Sequence, residues 1–304
     1  MQGQQILHQG AVADDGRLDV AVARALNVPR SGARKMIEDG AAYVDGKRSR
    51  LAGEHVKIGQ QLRVLEAAPD RTGIDDGELR VVLEDDWLIV LNKPAGLPTQ
   101  PPPRGGDALS LRVAKHCHLQ PGQLGEIHRL DRDVSGLIVY GLRPDATSDL
   151  AEQFRNHTAR RRYLALVRTA VTPQEMRIDE AIGVVAPGRM AIDVRGMPAA
   201  THVQPLAFDE QSRVALVLCA LETGRSHQVR VHLAYAIGPI VGDGQYGDPL
   251  ASTGRIGLHS AMLQCRHPGS GRTGAWKALP GDDFWQLAPG SAPLLQQGWQ
   301  LPAG

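Results

Sequence analysis

The stretch Gly125-Glu126-Ile127-His128-Arg129-Leu130-Asp131-Arg132-Asp133-Val134-Ser135-Gly136-Leu137-Ile138-Val139-Tyr140 decides how the chain is read. Its last four residues form a short apolar run suited to a buried strand. Its polar half sets one histidine, two arginines and two aspartates within six residues, and Ser135-Gly136 predicts a turn between the halves. Charged groups at the edge of a core stay ionised when they are paired or hydrogen-bonded, so the fold must bring partners to this loop. Read blandly, the same residues are a solvated loop with a surface ion pair, and short motifs of this kind recur by chance.

The chain around it has 304 residues, which suggests about two domains. At 42% hydrophobic and 22% charged residues the composition is that of an ordinary soluble protein. Aromatics make up only 4%, so the core rests on Leu, Val, Ile and Ala. A net charge of +1 neither demands nor forbids a polyanionic partner; the distribution of charge matters more than its sum. Cys117, Cys219 and Cys265 are odd in number and far apart, which argues against a disulfide framework and fits a reducing cytosol. His116-Cys117-His118 are chain neighbours that cannot easily converge on one ion, so no metal site is expected. Residues 1–10 lack a basic start followed by an apolar segment, and the longest apolar run, Val214 to Leu221, is far short of a membrane span. The expectation is a cytoplasmic protein with no membrane partner; no obligatory protein partner is evident, and the oligomeric state is unreadable.

Upstream, Leu18, Val22, Ala25 and Leu26 recur at helical spacing. Pro29 stops that helix, Ser31 can cap a second one through Glu38 with Met36 and Ile37 inward, and Gly40 closes it. Ala42-Tyr43-Val44 followed by Asp45-Gly46 predicts a strand and tight hairpin, and the segments Val56–Gly59 and Gln61–Val64 suggest a closing strand pair. From Arg17 to Glu66 there are ten Lys or Arg against six Asp or Glu. Arg30, Arg34, Lys35, Lys47 and Arg48 fall on the second helix and the adjoining hairpin, a patch suited to phosphates; a solvated helix face gives the same pattern. Two helices, a Gly, then Val-Asp-Gly-Lys and Val-Lys-Ile-Gly resemble the S-four RNA-binding domain of ribosomal proteins, with its α-L motif. That resemblance covers about fifty residues and implies that this basic face binds structured RNA. The domain is placed at 14–66, a Pro-, Gly- and acid-interrupted linker at 67–78, and a second domain at 79–304.

Downstream, Arg80–Leu83 and Trp87–Leu91 read as strands, Asp107 can cap a helix through Leu109 to Ala114, and Pro144-Asp145 opens another with Leu150, Ala151 and Phe154 on one face. A strand follows from the basic cluster Arg160-Arg161-Arg162 through Val167, and His202–Phe208 and Arg213–Glu222 suggest antiparallel neighbours. Many short strands with a few helices, out of strict alternation, predict an α+β domain on a mixed, largely antiparallel sheet. Gly242-Asp243-Gly244-Gln245-Tyr246-Gly247 matches a dinucleotide fingerprint in form only. Pro249 follows at once and no acid sits about twenty residues later, so it reads as a glycine-rich turn. In Glu222 to Leu233, Gly224 breaks a strand, and Val229, Leu233 and Ile237 give the next helix a buried face. Ser226, His227 and Arg230 share another face at the helix start, which favours an anion. An Arg one turn in can neutralise a buried carboxylate; a basic surface helix is the plain alternative.

Taken in order, His128-Arg129-Leu130-Asp131 with Ser135-Gly136, then Arg162-Tyr163-Leu164-Ala165-Leu166-Val167, then Gly224-Arg225-x-His227-Gln228-Val229-Arg230-x-His232 resemble the three motifs of the RluA-type pseudouridine synthases. Glu84-Asp85 to Gly96, Gly238 to Gly247 and Leu258 to Pro268 support the match, which spans nearly all of residues 80 to 285. One departure is Val134, where that family usually has Thr; packing is expected to change there and chemistry to survive. The resemblance implies the pseudouridine synthase fold, conversion of uridine to pseudouridine in RNA, and no cofactor or metal. It implies that Asp131 is the catalytic carboxylate, either attacking the anomeric carbon or removing a neighbouring ribose proton, with Arg230 favouring its charged form. It implies that Tyr163 stacks on the uracil and assists removal of the carbon-5 proton. His128, Arg129, Arg225 and His227 are then substrate contacts, Arg129 filling the space that the displaced base leaves. Large-subunit ribosomal RNA stands ahead of transfer RNA as partner, by family analogy. Two other classes compete: an RNA-binding protein without catalysis, against which Asp131, Tyr163 and Arg230 together argue, and a glycosidase using Asp131 and Asp133, which needs both carboxyl groups across one sugar pocket.

Overall fold

The computed structural model describes residues 6–38, 41–49, 51–65, 79–102, 105–120, 122–248 and 255–302, and the side chains of Lys35, Lys47 and Arg48 are outside the described set. The chain divides into two compact units, Met1–Gly73 and Ile74–Gly304. Gly40 and the expected linker at 67–78 also lie outside the described residues.

The first unit runs β1 (Ile6–Ala11), β2 (Gly16–Arg17), α1 (Leu18–Leu26), α2 (Arg30–Glu38), β3 (Ala42–Val44), β4 (Lys47–Ser49), β5 (His55–Val56) and β6 (Gln61–Leu65). Leu18, Val22, Ile37, Leu62 and Val64 close its core, each at most 2% exposed. Asp45 and Gly46 both take positive φ, 48° and 77°, the geometry a two-residue hairpin needs to match the twist of its strands. Two expectations are corrected. Helix α2 already begins at Arg30, with Ala33 N bonded to Pro29 O; the fixed φ of Pro29 leads into the helix, and Ser31 sits inside the first turn. The segments at Val56 and Gln61 do not pair with each other: β5 joins β2, and β6 lies between β1 and β3.

The second unit runs β7 (Val81–Glu84), β8 (Leu88–Lys93), α3 (Leu109–His116), β9 (Gly125–Glu126), β10 (Ser135–Gly141), α4 (Pro144–Arg155), β11 (Arg160–Arg168), β12 (Met176–Asp179), β13 (Ile182–Ala186), β14 (Arg189–Ile192), β15 (Ala200–Asp209), β16 (Val214–Leu221), α5 (Gln228–Ala236), β17 (Leu258–Arg266), β18 (Thr273–Lys277), α6 (Asp282–Trp285) and α7 (Ala292–Leu295). A ten-stranded sheet in the order β12-β15-β16-β11-β17-β10-β8-β7, with β18 on β17 and β9 on β10, forms its centre. The β10–β17 pair is parallel and the other described pairs of this sheet are antiparallel, as a mixed α+β sheet requires.

Alternation along the strands sends neighbours to opposite faces. Ile89, Leu91, Ile138 and Tyr140 join α3 and α5 on one side. Leu88, Val90, Leu137 and Val139 meet α4 on the other, where Leu164 and Leu166 also meet α6 and α7. Ser135-Gly136 opens β10 rather than turning before it. Gly136 pairs with Ser260 at φ +114°, and a Cβ there would lie 2.3 Å from the Ser260 carbonyl oxygen, so the close approach of two backbones demands the glycine. Asp107 does not cap α3; the cap position is Ala108, and Asp107 instead accepts a hydrogen bond from Arg112 Nε at 3.0 Å. Among the described residues no helix is long and apolar enough to cross a membrane.

Candidate active site

A cavity of about 610 Å³ lies where the loop before β10, the start of β11 and the N-terminus of α5 meet, and Arg129, Asp131, Arg161, Tyr163, His227 and Arg230 line it. Three segments far apart in the chain are thus brought to one place.

Asp131 sits on a loop fastened from beneath. Its carbonyl accepts from Val134 N at 3.1 Å, a tight turn whose Val134 side chain is 2% exposed and belongs to the core beside Leu130 and Leu258. Thr99 Oγ1 donates to Leu130 O at 2.6 Å and accepts from Leu130 N at 3.1 Å. Lys93, fully buried, gives its three donors to the carbonyls of Pro94, Leu97 and Arg132 at 2.9, 2.8 and 3.0 Å. Two buried side chains therefore bracket Asp131 through its immediate neighbours.

Arg230, in the first turn of α5, is the expected partner and more. Its Nη1 donates to Asp131 Oδ2 at 2.7 Å. Its bidentate fork goes elsewhere: Nε and Nη2 bind Asp243 Oδ2 and Oδ1 at 2.7 and 2.9 Å, and Nη2 also reaches Gln245 Oε1 at 2.9 Å. Burial works against the guanidinium charge, but the bonds to Asp243 and the charge of Asp131 hold its pKa above the ordinary value. The glycine-rich turn thus supplies Asp243, a carboxylate 1% exposed, as the anchor that fixes the guanidinium against Asp131. Asp131 keeps 30% of its side chain open, and its Oδ1 stands 3.7 Å from His227 Nε2, beyond hydrogen-bond reach.

His227 takes the left-handed conformation ahead of α5 (φ 56°), and its Nδ1 contacts the Tyr246 hydroxyl at 2.7 Å. Burial lowers its pKa against the opposing pull of Asp131. Tyr163 is 7% exposed, and burial pushes its hydroxyl pKa up, so it keeps its proton at neutral pH. His128 is built into the wall: Nε2 accepts from Val139 N at 3.1 Å, the ring stacks on Phe154 at 4.5 Å, and burial pushes its pKa down to about 3. Arg129 is exposed, 3.4 Å from Ser226 Oγ; Arg225 donates to the Pro198 carbonyl at 2.9 Å. Asp133 is engaged by Arg132 at 2.9 Å and is not among the cavity-lining residues, so the two aspartates do not face a common pocket. In the first unit, Arg30 pairs with Asp19 at 3.1 Å with 58% of its side chain exposed, and Arg34 is exposed. Elsewhere, His116 Nε2 lies 2.8 Å from Glu84 Oε2 and Cys117 Sγ 4.0 Å from Glu84 Oε1, a cluster of three possible ligands whose third member comes from β7.

The arrangement is a part-open carboxylate beside a protonated phenol and a clamped arginine, in a cleft with basic residues on its rim. Residues 87–235 match the RNA pseudouridylate synthase family, and residues 16–62 match the S4 domain. The ribosomal large subunit pseudouridine synthase D of Neisseria meningitidis serogroup A is 33% identical, over 90% of this chain and 78% of that protein. The chain belongs to the RNA pseudouridine synthase family. The synthase of the same designation from Nitrosomonas europaea is also 33% identical, across 94% of this chain and 85% of its own. The solved human RNA pseudouridylate synthase domain containing 1 superposes at a TM-score of 0.56 with 25% identity, covering 67% of this chain and 84% of its own. This chain is therefore an isomerase acting on RNA, as its three ordered motifs implied.

Sequence reasoning missed Lys93, Thr99, Asp243, Gln245 and Tyr246. A lysine beside Pro94 reads as surface and Asp243 falls in a glycine-rich turn; the Arg132 carbonyl that Lys93 reaches is 39 residues away, and the Arg230 that Asp243 holds is 13 residues away. Lys93 carries a testable consequence for the synthase. Burial pushes its pKa from 10.5 down to about 7, against the pull of Asp133 and Asp131. The unfolded chain holds this proton where the folded chain has shed it, so the group's contribution to stability grows as pH rises through that window and is smallest below it. Lys93→Met strips a donor from three carbonyls and should lower stability by about 2–4 kcal/mol. In denaturant titrations its deficit relative to wild type should widen from pH 7 to 10; a deficit independent of pH would contradict the buried titration.

Proposed function

We propose that this synthase isomerises uridines in large-subunit ribosomal RNA, with Asp131 as its catalytic carboxylate and residues 14–66 adding RNA affinity to a catalytic domain at 79–304. The observation that carries the reading is the asymmetry at Asp131: one oxygen is held by Arg230, while the other has no hydrogen bond from His227 and the residue lines the cavity with 30% of its side chain open. Both large-subunit synthases named above cover most of this chain, the first unit included, which favours ribosomal over transfer RNA.

The chemistry follows from these groups. The target uridine leaves its stack at a cost of a few kcal/mol, and exposed Arg129, beside Ser226 at the cavity mouth, takes the vacated position. The base enters against Tyr163. Asp131 then acts on the ribose, either at C1′ or at a neighbouring proton, and the bond from C1′ to N1 breaks. The ring turns until C5 faces C1′, the new bond forms, the C5 proton leaves and N1 takes up a proton. Arg230 keeps Asp131 oriented throughout, and Asp243 keeps Arg230. Because burial raises the Tyr163 pKa, its hydroxyl serves as a donor toward the base before it can accept the C5 proton. Arg225 and His227 line the same cavity, and His128 acts through packing.

Arg30 and Arg34 on α2, and by the sequence reading Lys35, Lys47 and Arg48, are assigned to RNA phosphates. Arg34→Glu should weaken RNA binding several-fold and reduce the salt slope by about one, leaving turnover at saturating RNA unchanged; filter binding across a salt series measures both. Mapping pseudouridines in a strain lacking this gene tests the substrate. Sites missing from large-subunit RNA and restored by the wild-type gene are expected; losses confined to transfer RNA would move the assignment there.

A further inference from the structure

Arg161 is a buried cation that the residues around it do not balance. It lines the cavity and is 8% exposed. Its contacts among the described residues are the Thr223 carbonyl, 3.3 Å from Nη2, and the face of the Phe154 ring, 5.2 Å from Cζ. Its Nε is buried with no partner. None of these contacts carries negative charge, and a buried guanidinium without a counter-charge is costly to maintain. Yet the fold makes room for it: a Cβ on Gly224 would lie 2.8 Å from Nη1, so the glycine that opens the third motif also seats this side chain. Arg161 stands two residues before Tyr163 on β11, where the register against β17 shifts. Its charge is felt at both the Tyr163 hydroxyl and the His128 ring.

We propose that Arg161 is a further catalytic residue, whose guanidinium stabilises the negative charge of the uracil ring while it is detached from the ribose. This rests on the assignment of Asp131, Tyr163 and the cavity made above. When the C1′–N1 bond breaks, its electron pair leaves with the ring and spreads over N1, O2 and O4. Attack of Asp131 on C1′ and removal of a ribose proton release the same anion. The pair is consumed when C5 bonds to C1′, which leaves the ring neutral; the C5 proton is then lost and N1 takes up a proton, so nothing is oxidised or reduced. A cation placed where charge appears only between bond breaking and bond making lowers the barrier without tightening substrate binding. The alternative anion is a backbone phosphate. The base is the part of the nucleotide that enters the cavity, and Arg161 lies nine-tenths buried beside the residue expected to stack on it, whereas phosphates follow the strand past exposed Arg129.

The test compares wild type, Arg161→Gln, Arg161→Lys and Gly224→Ala on an RNA that wild type modifies; wild-type inactivity on every RNA would fail the functional reading rather than this one. At saturating RNA, Arg161→Gln should lower the rate by about 10²–10³-fold, with Kd within about threefold and an unchanged salt slope. Arg161→Lys should recover part of the rate, and Gly224→Ala, which presses a methyl into the guanidinium, should lose part of it. RNA carrying 5-fluorouridine gives the decisive arm, because fluorine makes the detached ring a more stable anion that needs less help. Followed by mass spectrometry as loss of the parent nucleotide, the Arg161→Gln deficit should shrink to about tenfold or less on that substrate. Should Arg161→Gln melt early, Arg161→Lys and Gly224→Ala carry the same comparison. Equal deficits on both substrates would overturn the proposal, as would wild-type turnover, or a loss confined to Kd with a salt slope reduced by about one.

Discussion

Asp131→Asn should abolish turnover while leaving RNA affinity within a few fold. The change is nearly isosteric, so the loop held by Lys93 and Thr99 and the core contact of Val134 are kept. What is lost is the negative charge and the electron pair to which the proposed function gives the work on the ribose. A group that does chemistry and little binding shows itself in kcat rather than in Kd. With Arg230 Nη1 still able to donate to the amide oxygen, the site keeps its shape, and a rate loss of about 10⁴-fold or more is expected for a carboxylate acting directly on the substrate. Turnover that persisted above about 1% of wild type would mean that another group carries the step.

Arg230→Met should fail twice, in stability and in rate. The guanidinium satisfies Asp243 through two bonds and Asp131 through one, and Asp243 is 1% exposed. Removing the cation leaves a buried carboxylate without its counter-charge, which destabilises by about 3–5 kcal/mol; in a thermal melt this lowers Tm by roughly 6–20 °C for a domain of this size. The rate falls because Asp131 loses its orienting bond. The double variant Arg230→Met/Asp243→Asn separates the two effects: stability should return in large part, because the orphaned charge is gone, while turnover stays low. Recovery of turnover along with stability would make Arg230 a purely structural residue.

Much of the architecture could be read from local patterns. The apolar run Leu137–Tyr140, the Asp45-Gly46 hairpin and the paired segments at His202 and Arg213 depend on neighbours a few residues away, where hydrophobic period and turn chemistry speak directly. The pairing of Asp131 with Arg230 was legible because a charge-dense loop had to find a partner and the three motifs named one. The roles of Lys93 and Asp243 were not. Each is a charged residue within or beside a Pro- or Gly-rich turn, which normally marks solvent, and each becomes buried only because a remote segment folds over it. The hairpin of β13 and β14 and the edge strand β1 were missed for a related reason: Val184, Val185 and Ile6 are half or more exposed, so their segments lack the alternation that marks a strand with one buried face. His128 taught the opposite lesson. Its motif position pointed to substrate, whereas its ring is spent on the Val139 amide and the Phe154 face.

The proposed function assigns the isomerisation of uridine in RNA to a single carboxylate, Asp131, oriented by Arg230. Release of tritium from carbon-5-labelled uridine in unmodified large-subunit ribosomal RNA measures that step directly. Wild-type protein should release tritium in proportion to time and enzyme, and Asp131→Asn should release none above background. No release by wild type on ribosomal or transfer RNA, or equal release by both proteins, would overturn that assignment.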